Sequence, residues 1–416
     1  MRGFRCDRQE FAGALGDAGT LLPIAIALVI QNGMNPTAIF LFTGLAYLGV
    51  GAYYRLPIPV QPLKAVAATV LAMGASPSLL VAAGIWMGAL ELLLAWTGLA
   101  DRLSRVFTLP VVRGIQVAIG LFMVKSGWHM VAGSPFLPGG SGMAAGMPGR
   151  GVPAGIFVAI PAAFLLLGLM TNHRLPASLV LLGAGVVLGG IVGGPAQVRA
   201  ALHGPSWPAP ALPTAGELVT ALPLLVLPQL PLTLGNAVVC TAATARDYFG
   251  GAANRVTPRA LCASQGLANL LGSVFGALPV CHGAGGLTAH VRFGARTGGA
   301  PILLGLVFIS VALVPGASAL VFLIPPAVLG VLLMYIGIEH ALLMNDLLGN
   351  REGLFICLSV GAAAVATGRI DVAFLLGIAV AWWLPRSGAF QEPPFTPGPS
   401  CPGEGLCAHL VGTPGS

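Results

Sequence analysis

Two short stretches gather most of the residues able to do chemistry, and proline breaks both. The first is Pro59-Val60-Gln61-Pro62-Leu63-Lys64; the second is Pro279-Val280-Cys281-His282-Gly283-Ala284-Gly285-Gly286. A helix that restarts after such a break presents unpaired N–H groups and about half a positive charge at its N-terminus. That is a seat for an anion. Gln61 adds an amide, Lys64 a cation one turn later, and His282 an imidazole. The run from Gly283 through Ala284 to Gly286 lets a ligand approach the backbone closely. Cys281 and His282 have no further ligands at a suitable spacing, so neither a metal nor a cofactor is expected.

Further polar residues lie inside apolar runs. Gln229, Thr233 and Asn236 follow one another at i, i+4 and i+7, on one face of a helix. With Gln61, Lys64, His282, Gly283 and Ala284 they are the candidate substrate contacts. Asp17, Glu91 and His282 are the candidates for carrying a coupled proton. Asp17 is also the natural ion-pair partner for Lys64, because a lone lysine within a span costs a few kcal/mol.

The elements that position these residues come in two copies. Leu15-Gly16-Asp17 echoes Leu234-Gly235-Asn236, as the two proline motifs echo each other. The offset is nearly constant at about 220 residues, as in a duplicated transporter fold. Hydrophobic residues make up 56% of the chain and charged ones only 8%, where a soluble domain carries about 25% charged. Mean hydropathy is +0.89. Apolar spans are expected at 11–31, 37–53, 62–75, 78–98, 108–125, 152–170, 175–194, 217–243, 257–276, 283–294, 299–316, 319–338, 353–367 and 370–385. Those at 62–75 and 283–294 are too short to cross alone. Seven spans per half is odd, so the second copy must be inverted in the membrane. The expected fold is an all-α polytopic membrane protein of about fourteen segments in two inverted seven-helix repeats. Short extended stretches precede half-helices three and ten.

Arginine placement orients the chain. With the N-terminus inside, the cytoplasmic loops hold Arg2, Arg5, Arg55, Arg246, Arg255, Arg259 and Arg296 among others. The outer loops hold only Lys125, Arg150, Arg199 and Arg369. Both termini are then cytoplasmic, the stretches 127–150 and 195–216 are external loops, and residues 387–416 form a disordered tail. The net charge of +7 is scattered over short loops and does not point to nucleic acid. The seven cysteines show no CxxC spacing, and no GxxxxGK[ST] loop is present to drive a pump.

The residues resemble a known family. Phe11-Ala12-Gly13-Ala14-Leu15-Gly16-Asp17-Ala18-Gly19-Thr20 is similar to the first helix of the MOT-type molybdate transporters, relatives of the sulfate permeases. Pro59-Val60-Gln61-Pro62-Leu63-Lys64-Ala65 resembles their first signature. Pro279 to Leu287, with Arg292-Phe293-Gly294-Ala295-Arg296-Thr297-Gly298, resembles the second. Leu227-Pro228-Gln229-Leu230-Pro231 resembles an eighth helix shared with sulfate and nucleobase permeases. The resemblance implies a uracil-permease-like division into core and gate. The core parts would be 1–104 and 196–317, the gate parts 105–195 and 318–386. Members with a proton-coupling carboxylate in the eighth helix differ from this chain, which has Gln229 there.

The resemblance implies a secondary importer of molybdate, working by alternating access and coupled to a cation such as the proton; arginine in place of lysine and the abundant Ala, Gly and Pro point to a bacterial inner membrane. Carrying a bare dianion against an inside-negative potential costs roughly 4.6 kcal/mol per 100 mV. The alternative is a sulfate or other oxyanion transporter or exchanger of the same fold. A nucleobase permease would want carboxylates where Gln229 and His282 stand, and an anion channel is a further option. The expected partners are the oxyanion and the lipid bilayer, with a homodimer left open and no nucleic acid.

Overall fold

The computed structural model describes residues 4–100, 108–133, 153–170, 176–201, 207–210 and 212–387. The first half comprises α1 (Arg8–Asn32), α2 (Pro36–Tyr54), β1 (Gln61–Pro62), α3 (Lys64–Met73), α4 (Pro77–Thr97), α5 (Leu109–Gly133), α6 (Ala154–Leu169) and α7 (Ala177–Ala201). The second half opens with the composite helix α8 (Ala215–Ala253). It continues with α9 (Pro258–Val274), β2 (Val280–Cys281), α10 (Ala284–Arg292), α11 (Gly299–Leu313), α12 (Pro326–Leu342), α13 (Arg351–Thr367) and α14 (Ile370–Ser387). Among the described residues, seven helices are long and apolar enough to cross a membrane.

Local chemistry sets many of the boundaries. Asn35, Ser76 and Thr257 cap α2, α4 and α9 with their side chains, each followed by proline at the first turn. Gly33, Gly74 and Gly98 end α1, α3 and α4 in the left-handed conformation, which a residue without Cβ adopts at no steric penalty. With ten and nine residues, α3 and α10 rise roughly 15 Å each, about half a hydrocarbon core.

The packing has the symmetry of an inverted repeat. α2 packs on α11 and α4 on α9; α3 packs on α8 and α10 on α1; α5 packs on α12. Exchanging each helix for its counterpart seven places later converts the first pair into the second and the third into the fourth. It leaves the fifth unchanged. β1 and β2 pair antiparallel with Gln61 opposite Cys281 and Pro62 opposite Val280. Residues one repeat apart thus face each other on the symmetry axis. Glycines allow the close approach: Gly120 and Gly127 on α5 meet the backbone at Gly337 and Gly330 on α12, and Gly44 and Gly51 on α2 meet Gly305 and Gly298.

Some expectations need correction. α5 continues to Gly133, so the stretch from 127 begins as helix. α7 continues to Ala201 across a kink at Gly194, whose φ is +66°. The twelfth span opens as a 3-10 turn, Ser318–Leu323, before α12 begins at Pro326. α8 is wound as π-helix over Leu222–Val226 and Thr233–Cys240. The wider π turn changes the face on which Asn236 emerges relative to Gln229. Residues 134–150 and those from 388 onward lie outside the described residues.

Candidate functional site

The site forms where the β1–β2 ladder brings two helix N-termini together. β1 feeds α3 through Leu63, and β2 feeds α10 through His282 and Gly283. Neither Leu63 nor Gly283 caps its helix with a side chain. Leu63 N donates to the Pro279 carbonyl at 3.0 Å, extending the ladder by one bond. Proline supplies the breaks because it removes a backbone donor and keeps the preceding residue extended.

The two N-termini differ. That of α3 is closed: Gln229 Oε1, from α8, accepts from Ala65 N at 2.9 Å and Val66 N at 3.4 Å. The Gln229 amide nitrogen then donates to Thr233 Oγ1 at 3.1 Å. Gln229 and Thr233 are therefore occupied in holding α3. The N-terminus of α10 is open. Helix geometry leaves the N–H groups of Ala284 and Gly285 without intrahelical partners, and Gly285 is exposed, with open space where a Cβ would be. A Cβ added to Gly283 would lie 2.9 Å from Gln61 Oε1 and 3.2 Å from Asn236 Nδ2. Gln61, Asn236 and the start of α10 thus surround one point.

Behind that point lies a buried polar cluster. Asp17 accepts from Gln61 Nε2 at 2.6 Å and from the Tyr47 hydroxyl. His290 Nε2 lies 3.6 Å from Asp17 Oδ2. Gly286 is required here, since a Cβ on it would fall 2.6 Å from both Asp17 Oδ1 and Gln61 Nε2. The expected Asp17–Lys64 ion pair is not formed; Tyr47, Gln61 and His290 surround the carboxylate instead. Lys64 is half-buried at the first position of α3.

His282 and Glu91 brace the ladder rather than face the open N-terminus. His282 Nδ1 donates to the Pro59 carbonyl at 2.7 Å, and Nε2 meets the Ser264 hydroxyl at 2.8 Å. Both ring nitrogens are engaged. Ser264 in turn meets the Tyr54 hydroxyl at 2.8 Å. Glu91 accepts from Asn269 Nδ2 at 2.8 Å, and Asn269 Oδ1 accepts from Val280 N at 2.6 Å. That chain of bonds fixes β2 from behind. Of the sequence candidates, the structure gathers Asp17, Gln61, Asn236, Gly283 and Ala284 at one locus, with Lys64 beside it.

Sequence reasoning missed Tyr47 and His290. The signal for His290 was available: Gly283, Gly286 and His290 recur at i, i+3 and i+7, one face of α10. Tyr47 carried no such mark. It is an ordinary aromatic in an apolar helix until packing buries its hydroxyl against Asp17.

A cavity of about 490 Å³ opens on the face that carries the N-terminal segment, lined by Tyr54, Arg55, Phe249, Arg255 and Arg296 among others. Three guanidinium groups at its walls make it attractive to anions.

The comparisons agree with this architecture. A family model described as "Molybdate transporter of MFS superfamily" matches residues 9–123 and 221–339, the same portion of each repeat. The chain is 30% identical over 404 residues to molybdate transporter 2 of Arabidopsis thaliana, covering 89% of this chain and 86% of that protein. The transmembrane domain of a cyanobacterial bicarbonate transporter, BicA, superposes with a TM-score of 0.63 at 20% identity, over 91% of this chain and 98% of that one. The murine anion transporter Slc26a9, in its inward-facing state, superposes with a TM-score of 0.67 at 15% identity, over 93% and 69%. The relatives are transporters, not enzymes, and the fold is that of these inverted-repeat anion transporters. By sequence across most of its length and by fold, this integral membrane chain belongs to the molybdate transporter family.

Proposed function

We propose that this protein is a secondary importer of molybdate, coupled to cation entry and working by alternating access. One observation carries the reading: of two matched helix N-termini, α8 closes one and leaves the other open between Gln61 and Asn236. A tetrahedral dianion needs several donors and positive potential, but must also leave. The open N-terminus of α10 supplies backbone donors and about half a positive charge. Lys64 adds a full charge nearby, and Gln61 and Asn236 add adaptable amides. No rigid cage of cations holds the ion.

In this reading the core comprises 1–104 and 196–317, and the gate 105–195 and 318–386. The gate slides past a core that carries the anion seat. The arginine-lined cavity by Tyr54 would be the cytoplasmic mouth, with both termini on that side. A second reading, a carrier of sulfate or another oxyanion, shares every contact named here, because these ions share shape and charge.

The test is uptake of radiolabelled molybdate into proteoliposomes, with sulfate as competitor. Saturable uptake inhibited by cold molybdate well below the sulfate concentration needed supports the proposal. Equal competition by sulfate favours the second reading, and non-saturating flux favours a channel.

A further inference from the structure

We infer that Asp17 and His290 form a proton-binding site, and that the bound proton decides which face of the Gln61 amide meets the anion. This inference rests on the transport reading above.

The carrying observation is a meeting of acceptors. His290 Nδ1 lies 2.8 Å from the Gly13 carbonyl oxygen. A carbonyl only accepts, so Nδ1 bears the proton. In a neutral ring Nε2 is then a bare lone pair. It makes no hydrogen bond among the described residues, yet it lies 3.6 Å from Asp17 Oδ2. Both side chains are fully buried. Nε2 and Asp17 Oδ2, which already accepts from Tyr47, are both acceptors, and in this buried contact they repel. A proton taken up by Asp17 relieves this, leaving a neutral ring beside an uncharged carboxylic acid.

Gln61 links this proton to the anion seat. While Asp17 is ionised, Gln61 turns its NH₂ toward Oδ1, at 2.6 Å. Its Oε1 then points toward Gly283, buried and without a hydrogen-bond partner among the described residues. An acceptor in that place repels an oxyanion. Once the proton sits on Asp17 Oδ1, the atom that faced the Gln61 NH₂, that hydroxyl donates to Oε1. The Gln61 amide turns over, and its NH₂ donates to the oxyanion beside the Ala284 and Gly285 N–H groups. The proton also offsets one of the two anionic charges in the gap.

Among the described residues the surroundings supply no substitute for the pair; on α8, which packs on α10, Arg246, Asp247 and Tyr248 are all exposed. Tyr47 on α2 donates to Asp17. Among the described residues Lys64 on α3 forms no ion pair with Asp17, and the Cys281 thiol on β2 donates to the Pro62 carbonyl. On α1 itself, Glu10 is held by the Arg296 and Thr297 backbone N–H groups. Arg292 closes α10 at its far end. α12 carries Tyr335, Glu339 and His340, the last bonded to its own Ile336 carbonyl, and α7 carries Arg199. The sequence of α11 has no titratable side chain. Among the described residues, Asp17 is the one carboxylate within ion-pair distance of His290.

The experiment counts protons. Molybdate is added to purified protein in weakly buffered detergent solution at pH 7.5, and proton uptake is read with a pH dye. In parallel, proteoliposomes measure accumulation with and without an inside-alkaline gradient, normalised to each protein's own molybdate exchange rate. Wild type should take up about one proton per molybdate, and each pH unit should raise steady-state accumulation about tenfold per coupled proton. In His290→Gln and Asp17→Asn the proton count should fall to near zero and the gradient effect should vanish. Proton uptake that persists in either variant, or molybdate binding to wild type without a proton, overturns the inference. Should the variants fail to fold, infrared difference spectra of wild type decide: binding must raise a protonated-carboxyl band, and an unchanged carboxyl region sinks the idea. If wild type neither binds nor exchanges molybdate, the transport reading has failed, and the same proton count with sulfate then decides the pair.

Discussion

Gln229 Oε1 accepts from the Ala65 backbone N–H at 2.9 Å. Through that oxygen, which also accepts from Val66 N, α8 seals the N-terminus of α3, although α3 and α10 descend from matching motifs. The relationship converts a symmetric pair of helix ends into one structural end and one open end.

Gln229 should therefore behave as a cap. Gln229→Leu leaves the Ala65 and Val66 N–H groups buried without a partner and should lower stability by about 1–3 kcal/mol. Gln229→Glu keeps the acceptor at a positive helix end and should preserve the melting temperature, while its charge weakens anion binding. Thermal unfolding of the purified proteins checks the first effect and molybdate titration the second. A Leu variant with wild-type stability and lost affinity would instead make Gln229 a substrate contact.

Asn236 is expected to meet the substrate. Asn236→Asp adds a charge beside the open end of α10. At about 6 Å and an effective dielectric near 20, each unit pair interacts by roughly 2.8 kcal/mol, and a dianion feels about twice that before screening. Asn236→Ala removes one hydrogen bond and should cost only about 0.5–1.5 kcal/mol. Molybdate affinity at pH 7.5 should fall more than tenfold for Asp and much less for Ala. Equal affinities for wild type and Asp would take Asn236 out of the site.

Gly285 and Gly286 are adjacent yet should respond differently. A methyl group on Gly286 would fall 2.6 Å from Asp17 Oδ1, Gln61 Nε2 and Pro59 Cβ. Gly286→Ala should strain the core by about 1–3 kcal/mol and abolish transport. Gly285 has open space at its Cβ, so Gly285→Ala should fold normally and lose affinity only through its methyl group beside the backbone donors. Melting curves and uptake, measured side by side, separate the two.

Asp7 gives a pH-dependent prediction outside the membrane. It caps α1, and the Glu10 backbone N–H, assisted by Arg5 and the Gln9 N–H, holds its carboxyl below the usual range. For a carboxyl with a lowered folded pKa, the stabilisation is whole above the ordinary carboxylate value and is lost as pH falls through the folded value. Wild type should melt above Asp7→Asn at neutral pH, and the gap should close below about pH 4. A gap independent of pH would refute the assignment.

Much of the fold was legible because its signals are local. Asn35-Pro36, Ser76-Pro77 and Thr257-Pro258 start helices by side-chain capping and a fixed φ, whatever lies around them. Apolar run length sets the spans, and the proline motifs set where α3 and α10 begin. The matched motifs also implied the repeat and its short extended stretches; that these pair as a ladder, Gln61 opposite Cys281, is a tertiary outcome. Tertiary packing decided what those elements do. Asp17 meets Tyr47 and His290 rather than Lys64, because α2 and α10 press their inner faces on α1 while Lys64 stays half-buried at the tip of α3. The π turns of α8 set where Asn236 emerges, and no local propensity announces a π turn. Which of two equivalent helix ends stays open to an anion depends on one glutamine from a distant helix. Hydrogen bonds between residues so far apart in sequence depend on how whole helices dock, so spacing along the chain could propose the partners but could not choose among them.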